Sequence, residues 1–164
     1  MTDRLGTSDL YDIHQESLES CDLQLRQLGG VRHFEGPIVT FRAFEDNLEL
    51  KKIVAEPGEG QVIVVDTDGS MRVAMLGDNM AALAARNGWA GIVVNGAVRD
   101  TAALADLPIG VKALGSNPRR SRKEGVGHRD VVVTFGGAAF TPGAYLVSDD
   151  DGIVTFPLGV VPGD

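Results

Sequence analysis

Polar and apolar residues alternate over residues 22–28 (Asp-Leu-Gln-Leu-Arg-Gln-Leu), broken only at Arg26-Gln27, which predicts a strand with one buried face, ended by Gly29-Gly30. After Gly36-Pro37, residues 38–44 predict a second strand. Asn47 is placed to cap a helix carrying Leu48, Leu50, Ile53 and Val54, which Pro57-Gly58 stops. Residues 61–65 form a β-branched run, the pattern of a strand buried on both faces. Residues 66–69 predict a turn and residues 71–76 a further strand. Gly77-Asp78-Asn79 then leads into residues 80–86, rich in strong helix formers and closed by Asn87-Gly88. Residues 89–95 hold Ile92-Val93-Val94, another buried strand. Strand, turn, helix and strand in this order point to a βαβ unit.

Residues 116–130 break the pattern with Arg119, Arg120, Arg122 and Lys123, followed by His128 and Arg129, and predict a loop. A strand over 131–135, turns at Gly136-Gly137 and Thr141-Pro142-Gly143, and a hairpin with arms 145–147 and 153–156 complete the chain. Near the start, Ser8-Asp9 precede residues 10–13 as the cap of a short helix. With neither linker nor repeat, the expectation is one mixed α/β domain over residues 1–164 with a short N-terminal helical segment.

Composition narrows the class. Hydrophobic residues make up 43% and aromatics only 5%, so the core must rest on Val, Ile, Leu and Ala. A net charge of −8 argues against direct nucleic-acid binding and against an anionic membrane surface. One cysteine, Cys21, rules out an internal disulfide and a zinc site of paired cysteines. No apolar run approaches bilayer length, and Met1-Thr2-Asp3-Arg4 shows no secretory leader, so a cytoplasmic protein is expected.

Few motifs carry chemistry. The chain has no Gly-x-Gly-x-x-Gly, no phosphate-binding P-loop and no His-Glu-x-x-His. Asp66-x-Asp68-Gly69 and Asp149-Asp150-Asp151-Gly152 read as carboxylate-rich turns. Gly77-Asp78-Asn79-Met80 opens a helix, where unpaired amides favour an anion; Asp78 or Asn79 could instead be a plain N-cap. Arg99-Asp100 follows a buried strand: Arg99 offers a planar fork for a carboxylate and Asp100 a hard oxygen ligand for Mg²⁺ or Mn²⁺. An ordinary surface ion pair is the alternative. Cys21 and Trp89 read as packing residues, and His14, His33 and His128 share no metal spacing. The Arg119–Lys123 cluster reads first as a solvated loop and second as a partner or anion site.

Asp78, twenty intervening residues and then Arg99-Asp100 resemble the signature of the RraA-like family. Residues 7–12, Phe34-Glu35-Gly36-Pro37-Ile38-Val39-Thr40, Asn95-Gly96-Ala97-Val98-Arg99-Asp100, Phe135-Gly136-Gly137, Pro142-Gly143 and residues 149–152 extend the resemblance. The family unites 4-hydroxy-4-methyl-2-oxoglutarate aldolases with regulators of ribonuclease E activity. The resemblance implies a compact β/β/α sandwich that assembles as a ring-shaped homotrimer. It implies that the backbone of Gly77, Asp78, Asn79 and Met80 holds a 2-keto acid, that Arg99 pairs with its carboxylate, that Asp100 ligates the divalent metal, and that Asp78 orients a water on that metal. The implied chemistry is aldol cleavage to pyruvate, with oxaloacetate decarboxylation through the same pyruvate enolate.

Two positions depart from the aldolase pattern. An acidic residue is expected three places after Asp100, where this chain has Ala103; Pro142-Gly143 is followed by Ala144 rather than Asp. Those departures, and the short chain, leave a regulator that binds a ribonuclease or helicase partner as the competing reading. An older methyltransferase label carried by some members finds no glycine-rich loop to support it.

Overall fold

The structure is a computed structural model that describes residues 4–162. The expectation of no leader rests on residues 1–4, of which the first three lie outside the described residues.

In chain order the elements are α1 (Thr7–His14), a 3₁₀ turn (Gln15–Ser17), β1 (Glu19–Ser20), β2 (Arg26–Gln27), β3 (Phe34–Arg42), α2 (Leu48–Val54), β4 (Val62–Asp66), α3 (Asp78–Arg86), β5 (Gly91–Val98), α4 (Thr101–Leu104), β6 (Gly110–Ser116), β7 (His128–Arg129), β8 (Val133–Phe135), β9 (Ala138–Phe140), β10 (Tyr145–Asp149) and β11 (Gly152–Thr155). Strands β3, β4, β5 and β6 pair in parallel, with α2, α3 and α4 in the crossovers. Antiparallel β10, β11 and β1 extend the sheet beyond β3, and β2 closes the other edge against β6.

The sheet is buried on both faces, as its β-branched strands require. One face carries Val39, Phe41, Ile63, Val65, Ile92 and Val94 in a core shared with Leu50, Ile53 and Val54 of α2 and Ala81 and Ala84 of α3. The opposite face carries Ile38, Val62, Val64 and Val93 against Val133, Phe135, Ala138 and Phe140 of the β8–β9 hairpin. Successive residues of one strand therefore face different layers, giving a helix/sheet/hairpin sandwich. On the hairpin side, the Phe34 ring lies over the paired glycines Gly91 and Gly110, where an added Cβ would come within 2.2 and 2.0 Å of it. Only glycine at both positions leaves room for the ring.

Several expectations change. Over residues 22–28 only Arg26–Gln27 pairs, with Ala113 and Lys112 of β6. The alternation there does set burial, with Leu23, Leu25 and Leu28 turned inward, but the stretch crosses between sheet edges and finds no continuous ladder. The strand placed at 38–44 runs from Phe34 to Arg42 and contains Gly36-Pro37 instead of following it. Proline is tolerated because the adjoining amide, that of Ile38, makes the bond to the Ala144 carbonyl. Residues 71–76 form no strand: Ala74 alone bridges Ala97 on one side and Arg120 on the other before the chain turns into α3. The loop over 116–130 ends in β7, which pairs with Phe41 and Arg42 of β3. Helix α4 and strand β6 were not predicted, because Gly110, Lys112 and Gly115 interrupt the β-branched signal of β6.

Candidate functional site

Strand β4 ends at Asp66 opposite Asn95 of β5, which runs on to Val98, and the chain beyond their carboxyl ends builds the site. This is where parallel α/β sheets place ligands. From β4 the chain loops back so that the Met75 amide donates to the Ala97 carbonyl and the Arg99 amide to the Leu76 carbonyl, at 2.9 Å each. These bonds set Gly77, at the start of α3, beside Arg99-Asp100 at the end of β5.

Asp100 lies in the left-handed region, φ 62° and ψ 43°, where Asp is among the better-tolerated non-glycine residues. That turn brings its Oδ2 to 3.1 Å from the Asp78 amide, so a side chain 22 residues away accepts from the first amide of α3. The N-cap itself is Gly77, which has no side chain to do this, and neither Asp78 nor Asn79 caps the helix. The cap reading is thereby corrected: Asp78 and Asn79 are the first two helical residues. A Cβ at Gly77 would stand 2.7 Å from Asp100 Oδ2 and 3.4 Å from Arg99 Nε. Glycine is thus what lets the carboxylate reach the helix. Among the described residues the amides of Asn79 and Met80 have no acceptor, leaving two donors and the positive end of α3 for a ligand.

Arg99 Nε lies 3.8 Å from Asp100 Oδ2, and Arg99 Nη1 donates to the Pro118 carbonyl at 3.4 Å. Both side chains are about one-third exposed, 36% and 37%, so they face solvent and each other. The Asp100 Oδ1 has no partner among the described residues.

These residues line a cavity of about 260 Å³ with Asn47 and Lys51 from the α2 region and Arg120, Ser121 and Lys123 from the loop before β7. The basic residues of that loop are exposed, as a solvated loop requires, yet two of them, Arg120 and Lys123, also border this cavity on backbone that is held in place. Asp46 is buried and its carboxylate accepts the amides of Glu124 and Gly125 at 3.0 and 3.1 Å and that of Val126 at 3.3 Å. Burial pushes the Asp46 carboxyl up, but bonds from Leu48, Val126, Gly125 and Glu124 outweigh it and hold the group below its ordinary value. Ser121 Oγ donates to the Ala74 carbonyl at 2.6 Å, and Lys123 Nζ donates to Asn47 Oδ1 at 3.1 Å. The sequence signal for Arg120 and Lys123 was the basic cluster itself. Lys51 and Asn47 had none, since i and i+4 on a short helix look like any exposed pair.

Four cationic side chains, Lys51, Arg99, Arg120 and Lys123, face two carboxylates, Asp78 and Asp100, across this cavity. It is a local positive site on a chain of net charge −8, suited to a small anion. No three His, Cys, Asp or Glu side chains converge among the described residues, so the side chains do not build an all-protein cage. A single carboxylate with one free oxygen matches Mg²⁺ or Mn²⁺, hard cations that keep water and ligand oxygens in most positions.

The family model described as Aldolase/RraA matches residues 7–155. The chain belongs to the RraA-like family. Its solved RraA-like relatives include the RNA-processing inhibitor RraA from Thermus thermophilis, 42% identical over 100% of both chains, with a TM-score of 0.90. A Geobacillus kaustophilus structure, named an S-adenosylmethionine: 2-dimethylmenaquinone methyltransferase, is 44% identical over 95% of this chain and 97% of that one, with a TM-score of 0.92. A Streptomyces coelicolor protein, named an unusual member of the RNase ES inhibitor RraA family, is 28% identical over 93% of this chain and 80% of that one, with a TM-score of 0.77. The α/β architecture is that of these RraA proteins. The RraA-like family holds both aldolases and ribonuclease regulators, so membership alone does not choose between them.

Proposed function

We propose that this chain, working as one domain within a homotrimer, is a divalent-metal-dependent lyase of 2-keto acids. It decarboxylates oxaloacetate and cleaves 4-hydroxy-4-methyl-2-oxoglutarate, both through the enolate of pyruvate. The observation that carries the reading is the Asp100 carboxylate, held at the start of α3 beside Arg99 in a cavity rich in cations.

Arg99 and the free amides of Asn79 and Met80 receive the C1 carboxylate and fix the scissile C3–C4 bond relative to Asp100. Asp100 is the residue that would hold Mg²⁺ or Mn²⁺, and the ion when bound would supply Lewis-acid polarisation of the 2-keto oxygen. In decarboxylation the C3–C4 pair collapses onto C3, CO₂ leaves, and a proton from water converts the enolate to pyruvate. Aldol cleavage needs one further act, removal of the 4-hydroxyl proton. Asp78 is the remaining carboxylate in the cavity and takes that role, because Ala103 on α4 supplies none.

The test is a coupled pyruvate-release assay with both substrates, with Mg²⁺ and then with chelator. Wild type should be active only with the metal, and Asp100→Asn should abolish activity while leaving the melting temperature within a few degrees. Full metal-stimulated activity in that variant would remove Asp100 from the mechanism.

A regulator that binds a ribonuclease or helicase is the second reading, favoured by the 42% identity to the Thermus inhibitor. A pull-down with a purified ribonuclease E-type partner, scored by RNA cleavage, tests it. Methyl transfer fits poorly: S-adenosylmethionine carries a sulfonium cation, and the cavity walls bear four cations and no aromatic ring.

A further inference from the structure

We propose that the sheet edge formed by β2 and β6 carries a second ligand site, built by Lys112 and Gln27, for a small neutral amide such as a lactam. The inference is independent of the keto-acid reading, since this cavity shares no residue with the one around Asp100.

The cavity has a volume of about 230 Å³. Within residues 22–28 only Arg26–Gln27 pairs with β6, and that rung sets Gln27 directly opposite Lys112. Opposed residues of an antiparallel pair share a face, and both line the cavity. Lys112 is only 4% exposed, yet no carboxylate touches it among the described residues. Its ammonium donates to the Asp149 and Gly152 carbonyls, the latter at 3.2 Å, which uses two of three N–H bonds. Burial pulls the group below its ordinary value. Gln27 Nε2 donates to the Gly29 and Val31 carbonyls at 3.2 and 2.9 Å. Those two acceptors fix which way the carboxamide is turned. Its Oε1 is then buried with no partner among the described residues. One unspent donor and one unspent acceptor thus stand on neighbouring strands beside the same cavity. A buried polar atom left unpaired carries a desolvation cost that a complementary ligand removes.

The complement of this pair is a carbonyl for Lys112 and an adjacent N–H for Gln27. A lactam or a primary carboxamide presents both on one side, whereas a trans peptide bond points them in opposite directions. A carboxylate has only lone pairs and would set one against Gln27 Oε1. Nor does the wall favour an anion. Lys112 and Arg32 are balanced by Asp150 and Asp151, and Arg32 Nε already meets Asp150 at 2.9 Å. Leu23, Leu25 and Ile153 supply apolar surface for a short carbon skeleton.

Titration of the full chain, followed by NMR at the Lys112 ammonium and the Gln27 carboxamide, tests this with three probes of similar size. 2-Pyrrolidinone should bind saturably and shift both signals. N-methyl-2-pyrrolidinone keeps the carbonyl and lacks the N–H, so it should bind at least tenfold more weakly, and butyrate no better. Lys112→Met should abolish binding. If that variant melts early, Gln24→Trp decides. Gln24 is exposed on the cavity wall, and its side chain makes only a 3.4 Å bond to the Asp22 carbonyl among the described residues. The fold should survive that change, while the bulky ring should cut 2-pyrrolidinone affinity at least tenfold. Equal binding of the two lactams, tighter binding of butyrate, or undiminished affinity in either variant overturns the proposal. Absence of saturable binding also overturns it and leaves ordered water as the partner of both atoms.

Discussion

Gly77 and Arg99 separate geometry from chemistry most cleanly. Gly77→Ala places a methyl group 2.7 Å from Asp100 Oδ2, closer than the two can stand, yet the backbone there (φ −130°, ψ −172°) suits any residue. The carboxylate can swing away, so the melting temperature should hardly move while the metal requirement rises or activity falls tenfold or more. Unchanged kinetics would show that Asp100 does not act from the helix start. Arg99→Lys keeps a charge and loses the fork. A hydrogen bond to a charged group contributes about 1.5–3 kcal/mol, so kcat/KM should fall about ten- to a few-hundred-fold at about 1.4 kcal/mol per factor of ten. Equal steady-state kinetics would dismiss the role; a collapsed melting temperature would make Arg99 a structural ion-pair residue.

At the level of elements, the strongly periodic pieces were legible and their ends were not. The β-branched run of β4, the alanine-rich α3 and the hairpin around residues 148–152 follow from local pattern, because burial on a sheet face or helix stripe leaves its period in the sequence. Helix caps do not. Residues Ser8-Asp9 looked like the cap of α1, but Gly6 is the N-cap and the Thr7 amide donates to Asp149 Oδ2 at 2.7 Å. Helix α3 likewise takes its carboxylate from Asp100. Both helices borrow an acceptor from a distant segment, which no window of neighbouring residues reveals. The family signature placed Asp78, Arg99 and Asp100 on one list; the basic cluster was visible as charge, but its place on the cavity wall depends on Asp46 holding the loop. That hold is measurable. Asp46 titrates below its usual 3.8 in the folded chain, so its stabilisation is complete above that value and is lost as pH falls through the lower, folded value. Asp46→Asn should lower stability by about 2–3 kcal/mol at neutral pH. The gap from wild type should close as melts are taken below pH 4, and a gap that is constant with pH would refute the ionic origin.

For the whole molecule, the chain's two ends are tied together and an assembly is expected around them. Asp149 takes both the amide and hydroxyl of Thr7, and buried Lys112 in β6 donates to the Asp149 and Gly152 carbonyls, the latter at 3.2 Å. Light scattering at micromolar concentration should give three times the chain mass of 17.3 kDa, as the family resemblance implies. A monomer would count against the trimer.

The seat of Phe34 also sets a schedule. Its floor is Gly91 and Gly110, so an aromatic ring near the beginning of the chain has nowhere to lodge until synthesis has passed residue 110. The strands that flank it on the other side, β10 and β11, are made later still. Closing such long loops is slow compared with forming hairpins or helices. On the ribosome, the first third of this protein should therefore wait unprotected, and nascent chains arrested before Gly110 should be cut by protease within β3, whereas chains extended beyond residue 155 should resist.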